Sequence, residues 1–168
     1  AVAIRPMEAH EAEQVAAVIE DALRNTGETS NVHFYGEEIV VGLVSGVMTP
    51  SNISNGWGIG GVTLVAVHAE EIVGTGTLLN RCFDESRPGD VAEVHALMVK
   101  GTHARKGVGR LILSELERRS AAQGKNIYLS ASKPAVPFYI KQGYEDQGEF
   151  DLGGALLQRM HKRLQELL

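Results

Sequence analysis

One cysteine, Cys82, stands alone in 168 residues. A single thiol excludes an internal disulfide framework and fits a reducing compartment. Basic residues are not in excess: 16 Lys and Arg stand against 21 Asp and Glu, a formal net charge of −5. That balance argues against a nucleic-acid binder, whose footprint is a basic surplus or stripe. No apolar run approaches the roughly 18 residues that a membrane span requires. The first residues, AVAIRPMEAHEAEQ, lack the basic-then-apolar order of a secretory leader. These absences predict a cytoplasmic protein with neither nucleic-acid nor membrane partners. The length suits one domain over residues 1–168 with a full core, and the 43% hydrophobic content predicts folding.

Periodicity supplies the elements. Val2–Pro6 reads as a short strand. Val15, Val18, Ile19, Ala22 and Leu23 recur at helical spacing and predict an amphipathic helix ending near Gly27. His33–Met48 fits either a strand or a second, weaker helix, and Thr49–Gly61 reads as a loop. Val62–His68 and Ile72–Asn80 predict an antiparallel hairpin, followed by a polar turn and a third strand, Val91–Val99. Val108, Leu111, Ile112 and Leu116 mark a helix with Gly124 at its C-terminal cap. Asn126–Ser132 is strand-like. Ala135–Gly143 is a short helix that Pro134 is placed to start, and two last strands flank the turn DLGG. The order predicts an α/β protein: a mixed sheet of about six to seven strands with helices on both faces.

The stretch GTHARKGVGR, Gly101 to Arg110, joins the third strand to the long helix. It fails the Walker A pattern, because Lys106 stands where a glycine is required. It also fails the dinucleotide fingerprint begun at Gly107, because Ile112 occupies a position that must be small. What remains is a strand, a turn and G-x-G at a helix start. The first amides of such a helix lack internal partners and carry partial positive charge, so they suit a pyrophosphate. Gly107 and Gly109 would let it approach free of Cβ atoms, and His103, Arg105, Lys106 and Arg110 add positive charge. A bare helix start with solvated basic residues explains this loop equally well.

A second segment separates those readings. ALMVKGTHARKGVGRLILSELE and ASKPAVPFYIKQGY, in this order, resemble the GCN5-related N-acetyltransferase (GNAT) family. That family places a strand L-x-V before [QR]-x-x-G-x-[GA]; here the residues are Leu97-Met98-Val99 and Ala104 through Gly109. Its second signature, A-x-x-F-Y-x-x-x-G-[FY], matches Ala135, Phe138, Tyr139, Gly143 and Tyr144. The order of elements is also the family's, so the resemblance spans nearly the whole chain. One position departs: Ala104 stands where the family has Arg or Gln, and Arg105 follows it.

The resemblance implies acetyl-coenzyme A as the donor, no metal, and transfer of the acetyl group to an amine by direct attack. It implies that the backbone of Arg105, Lys106, Gly107, Val108, Gly109 and Arg110 holds the pyrophosphate. The pantetheine arm would lie along Leu97, Met98 and Val99, where a backbone N–H from Met98 or Val99 would polarise the thioester. Ser132 and Phe138 complete the implied cofactor-binding set. The amine must be neutral to attack. Deprotonating an alkyl amine of pKa near 10.4 costs about 4.6 kcal/mol at pH 7, against about 1 kcal/mol for an α-amine. A base is therefore needed far more for alkyl amines than for peptide N-termini or arylamines, and Glu93 and His95, polar residues in an apolar strand, are the candidates. Alternation places Glu93, His95, Leu97 and Val99 on one face and Val94, Ala96 and Met98 on the other. Tyr139 is the implied acid for the departing thiolate.

The acceptor site is expected from residues 33–61, the loop Asp84–Asp90 and the last hairpin, with Phe34, Tyr35 and Trp57 as walls. The acidic loop and net charge favour a cationic acceptor, either a small molecule or a peptide amine. A homodimer through the final strands is consistent with the family. The alternative is a non-catalytic acyl-CoA-binding or sensor domain of the same fold, since fold alone does not establish activity.

Overall fold

The structure is a computed structural model and describes residues 1–164. Seven strands make one mixed sheet: β1 (Ala3–Pro6), β2 (Gly61–His68), β3 (Glu71–Leu79), β4 (Val91–Val99), β5 (Asn126–Ser132), β6 (Glu145–Leu152) and β7 (Ala155–Lys162). Their spatial order is β1-β2-β3-β4-β5-β7-β6. Every neighbouring pair is antiparallel except β4 and β5. A parallel pair needs a crossover. The helix α5 (Val108–Ala122) lies between β4 and β5 in the chain and provides it.

The expected hairpin closes through Ala69 and Glu70, both at positive φ (49° and 67°). Two such residues match the right-handed strand twist. Alternation in β2 then divides the core. Leu64 and Ala66 pack into one cluster with Ile112, Leu113 and Leu116 of α5. Val65 and Val67 pack into another with Val15, Val18, Ile19 and Leu23 of α1 (Ala12–Asn25). The sheet is thus covered on both faces. In α5, Leu111 turns outward at 48% exposure, and Leu113 enters the core instead.

Two predicted spans differ. The ambiguous His33–Met48 segment is helical, but Gly36 at φ 92° divides it into α2 (Asn31–Tyr35) and α3 (Glu37–Gly46). The expected loop Thr49–Gly61 contains α4 (Pro50–Ser54). Thr49 starts that helix: its side chain accepts from the Asn52 N–H at 3.2 Å, and Pro50 supplies a first helical residue with no N–H to satisfy. A 3-10 turn at Lys133–Ala135 contains Pro134, and α6 (Val136–Lys141) follows it.

Candidate active site

The parallel pairing of β4 and β5 stops early. Val91, Ala92 and Glu93 pair with Asn126, Ile127 and Tyr128, and the ladder ends there. Beyond Glu93, β4 continues to Val99 and remains bound to β3 on its other side. β5 continues to Ser132, bound to β7. The two strands part, leaving a cleft edged by β4 backbone that, among the described residues, pairs with no strand on that side.

A bulge in β4 accompanies this parting. The β3–β4 register shifts between Thr75 and Thr77, and Ala96 takes a left-handed φ of 53°. The extra residue inverts the faces that follow it. Ala92, Val94, Leu97 and Val99 all pack on the α5 side, whereas Ala96 and Met98 pack on the α1 side. The expected alternation therefore fails: Glu93 and His95 lie on the α1 side, opposite Leu97 and Val99. Simple period-two counting cannot see a bulge, and here it carried one face across the irregularity.

Glu93 is buried, with 4% of its surface exposed. Burial pushes its carboxyl up to about 7. The Phe83 N–H, donating to Oε1 at 3.4 Å, and the nearby Arg87 oppose that rise in part. His95 Nδ1 stands 3.8 Å from Glu93 Oε2. The His95 ring is gripped edgewise by Trp57 at 4.4 Å and Phe83 at 5.2 Å between centroids. Burial pulls its pKa down to about 4, so the imidazole is neutral at pH 7. Its Nε2 is buried and has no hydrogen-bond partner among the described residues. Sequence reasoning missed Phe83, whose backbone and ring serve both polar residues; nothing in an exposed-looking acidic loop marks that role.

The loop after β4 is fastened at its start. Lys100 donates its N–H to Val73 O at 2.8 Å, and the Gly101 N–H reaches Asp21 Oδ1 at 2.9 Å. Arg105 and Gly107 then adopt left-handed φ values of 59° and 86°. Gly107 is the N-cap of α5, no side chain caps that helix, and its first turn has no acidic residue. Glycine is required there by backbone conformation, since its absent Cβ has open space around it. Gly109 differs: a methyl there would sit at an ordinary 3.7 Å from the Phe138 ring and Val99. Arg105, Lys106 and Arg110 are exposed and form no ion pair among the described residues. Val108 is buried in the core, so only its backbone is available to a ligand.

Tyr139 lies in the α5-side cluster with Ala92 and Val94, and its ring meets Phe138 at 5.1 Å and Tyr144 at 5.6 Å. Burial raises its phenol pKa, and its hydroxyl has no hydrogen-bond partner among the described residues. Tyr139 and the Glu93–His95 pair thus approach β4 from opposite faces and do not contact each other. Ser132 ends β5 opposite Leu157. The next N–H, that of Lys133, is taken by Tyr35 Oη at 2.9 Å, while the same hydroxyl donates to Leu156 O at 2.6 Å. Tyr35 is a tie between α2, the turn after β5 and β7 rather than an open wall. Phe34 is 54% exposed and Phe83 45%. Trp57 flanks His95 and donates its Nε1–H to Val47 O at 2.8 Å. Lys133 is held by Glu149 at 2.7 Å and by Gln158. The acidic loop folds back: Asp84 accepts from Ser86, and the Arg87 guanidinium lies 3.9 Å from the centre of the Tyr128 ring.

Comparisons with known proteins agree with this architecture. A search among curated proteins finds no match. Among solved structures, the PaiA N-acetyltransferase from Thermoplasma acidophilum in complex with coenzyme A superposes with a TM-score of 0.76 at 18% identity, covering 97% of this chain and 99% of that one. A GCN5-related N-acetyltransferase structure from Rhodopseudomonas palustris gives 0.75 at 22% identity, covering 95% and 94%. An aminoglycoside 6'-acetyltransferase type Ii gives 0.60 at 19% identity, covering 96% and 97%. At such identities the likeness is one of fold. The sequence pattern of the acetyltransferase (GNAT) domain itself matches residues 60–146, just over half the chain. That span runs from the start of β2 to the start of β6 and takes in the parted strands, the glycine loop and Tyr139, so this chain belongs to the GNAT acetyltransferase family.

Proposed function

We propose that the chain is an acetyl-CoA-dependent N-acetyltransferase that moves the acetyl group directly to a primary amine. The observation that carries this reading is the parting of β4 from β5 beyond Glu93, beside an α5 start that no side chain caps. A parted strand edge supplies backbone groups to an extended arm, and uncapped helix amides suit a diphosphate. In this reading the backbone from Arg105 to Arg110 holds the diphosphate, which needs no particular side chain at Ala104. Leu97, Met98, Val99, Ser132 and Phe138 line the arm.

The chemistry follows from the protonation states. Glu93, near half-ionised at pH 7, accepts a proton from the incoming ammonium, directly or through a water. The neutral amine nitrogen then forms a bond to the acetyl carbon, and the carbon–sulfur bond breaks. A β4 backbone N–H from Met98 or Val99 steadies the charge on the carbonyl oxygen. Tyr139 gives its proton to the departing sulfur, and the second proton that the nitrogen sheds on becoming an amide returns to the tyrosinate through solvent, while Glu93 releases its own to bulk water. His95 stays neutral and assists Glu93. The reaction needs no metal, and holding the two reactants together supplies much of the remaining acceleration. The acceptor is a small-molecule or peptide amine, in a cytoplasmic setting without nucleic acid or membrane. β6, at the edge of the sheet, offers a surface for a homodimer.

The test is release of free thiol from acetyl-CoA across a panel of small amines, polyamines, amino acids, aminoglycosides and peptides. Turnover with one class supports the reading and names the acceptor. Saturable acetyl-CoA binding without thiol release from any class would identify a non-catalytic acyl-CoA sensor, a reading that Ala104 favours. No binding at all would remove both.

A further inference from the structure

The loop after β4 carries a histidine to which the proposed reaction assigns no step. His103 closes the 3-10 turn Gly101–His103 and meets His68, the last residue of β2. His103 Nε2 and His68 Nδ1 lie 3.3 Å apart. The ring centroids are 5.2 Å apart, with 64° between the planes. That spacing is shorter than a head-on line of ring, nitrogen, nitrogen and ring would give, so the two nitrogens meet at an angle. Two imidazole nitrogens each about 2.05 Å from one tetrahedral zinc stand roughly 3.3 Å apart.

Two neighbours bear on the arrangement. Thr102 Oγ1 is 2.9 Å from His103 Nδ1. With that ring N–H donating to the hydroxyl, Nε2 keeps its lone pair and faces His68, the outer-shell pattern of a histidine ligand. Glu71 is the hairpin partner of His68, and its carboxylate lies near enough to both rings to favour a positive charge there, though it bonds to neither. It is held by Lys100 Nζ at 2.5 Å and is 59% exposed.

We propose that His68 and His103, with water in the remaining positions and the Glu71 carboxylate as a nearby negative charge, form a surface site for a zinc-class dication that fastens the Gly101–Arg110 loop to the β2–β3 turn. The site joins residues 35 positions apart and does not depend on acetyl transfer. A rival group is Glu8, His10 and Glu11, whose ligand atoms lie within 4.8 Å of one another. There, however, Glu11 is engaged by Arg5 through bonds of 2.8 and 2.7 Å.

Isothermal titration of zinc chloride into the metal-free full chain tests the proposal. One zinc per chain is expected, with affinity falling about tenfold or more in His68→Ala and in His103→Ala, and by less in Glu71→Gln. His68→Gln should repeat the loss, and His10→Ala should bind as the parent does. Circular dichroism confirms that each variant is folded. The absence of saturable binding, survival of binding in His68→Ala, or its loss in His10→Ala would overturn the proposal.

Discussion

Glu93 loses nearly all its water on folding, and its carboxyl rises to about 7 because the charged form is the one that burial penalises. The consequence for stability has a definite sign. In the unfolded chain an ordinary glutamate ionises near 4.5. Between that value and about 7 the folded state binds more protons, so stability is lost as pH rises through this window. Glu93→Gln cannot ionise. It should be more stable than the parent at pH 8 by about 1–3 kcal/mol, read from urea unfolding, and no more stable at pH 4. Its turnover should fall, and the inflection near pH 7 in kcat/KM should vanish. An unchanged pH–rate profile would remove Glu93 as the base. Tyr139 acts on the other side of the reaction. A thiolate of pKa near 8.5 already leaves tolerably, so Tyr139→Phe should lower kcat roughly tenfold to a hundredfold without weakening CoA binding. Full turnover in that variant would end the acid role.

α5 sits where it does because β3 presents two glycines to it. A methyl on Gly74 would come within 2.9 Å of Ile112, and one on Gly76 within 2.9 Å of Ile112 and 3.0 Å of Leu97. Those missing side chains set how closely the helix approaches the sheet, and so where its uncapped amides stand relative to β4. Gly76→Val should force the helix outward, at about 1–3 kcal/mol measured by thermal or urea unfolding. It should also weaken acetyl-CoA binding, because the loop travels with the helix. Gly76 is also the β3 residue skipped where the β3–β4 register shifts, opposite the Ala96 bulge. The hydrophobic pattern VTLVAVH and IVGTGTLL identifies the hairpin plainly. The same pattern says nothing of the bulge, since Ala96 is an ordinary alanine held at positive φ by its surroundings.

Long-range ties hold the segment between α1 and β2 to the sheet. Tyr35 bonds at once to Lys133 and Leu156, about a hundred positions away in the chain. Replacing its hydroxyl leaves the Lys133 N–H and the Leu156 carbonyl without this partner. Tyr35→Phe should cost about 1–3 kcal/mol in unfolding and speed amide exchange at Lys133. Unaltered exchange there would show that the tie is dispensable. Trp57 works similarly: its indole N–H fixes it to Val47 while its ring edge confines His95. Trp57 is therefore both a wall of the candidate site and one of its supports.

The sequence determined the seven strands in chain order, the helices α1, α5 and α6, the hairpin, the glycine start of α5 and the two signatures that reveal the family. Each depends on neighbours within a few residues, where periodicity and turn chemistry act. The sequence also singled out Glu93 and His95, because polar residues in an apolar strand stand out. Other features depend on contacts between distant segments. The face inversion at Ala96, the service of Phe83 to both polar residues, the Tyr35 tie and the meeting of His68 with His103 belong to that class. Burial, which sets the protonation of Glu93 and His95, is a property of the closed sheet and its covering helices, and no local stretch of chain carries it.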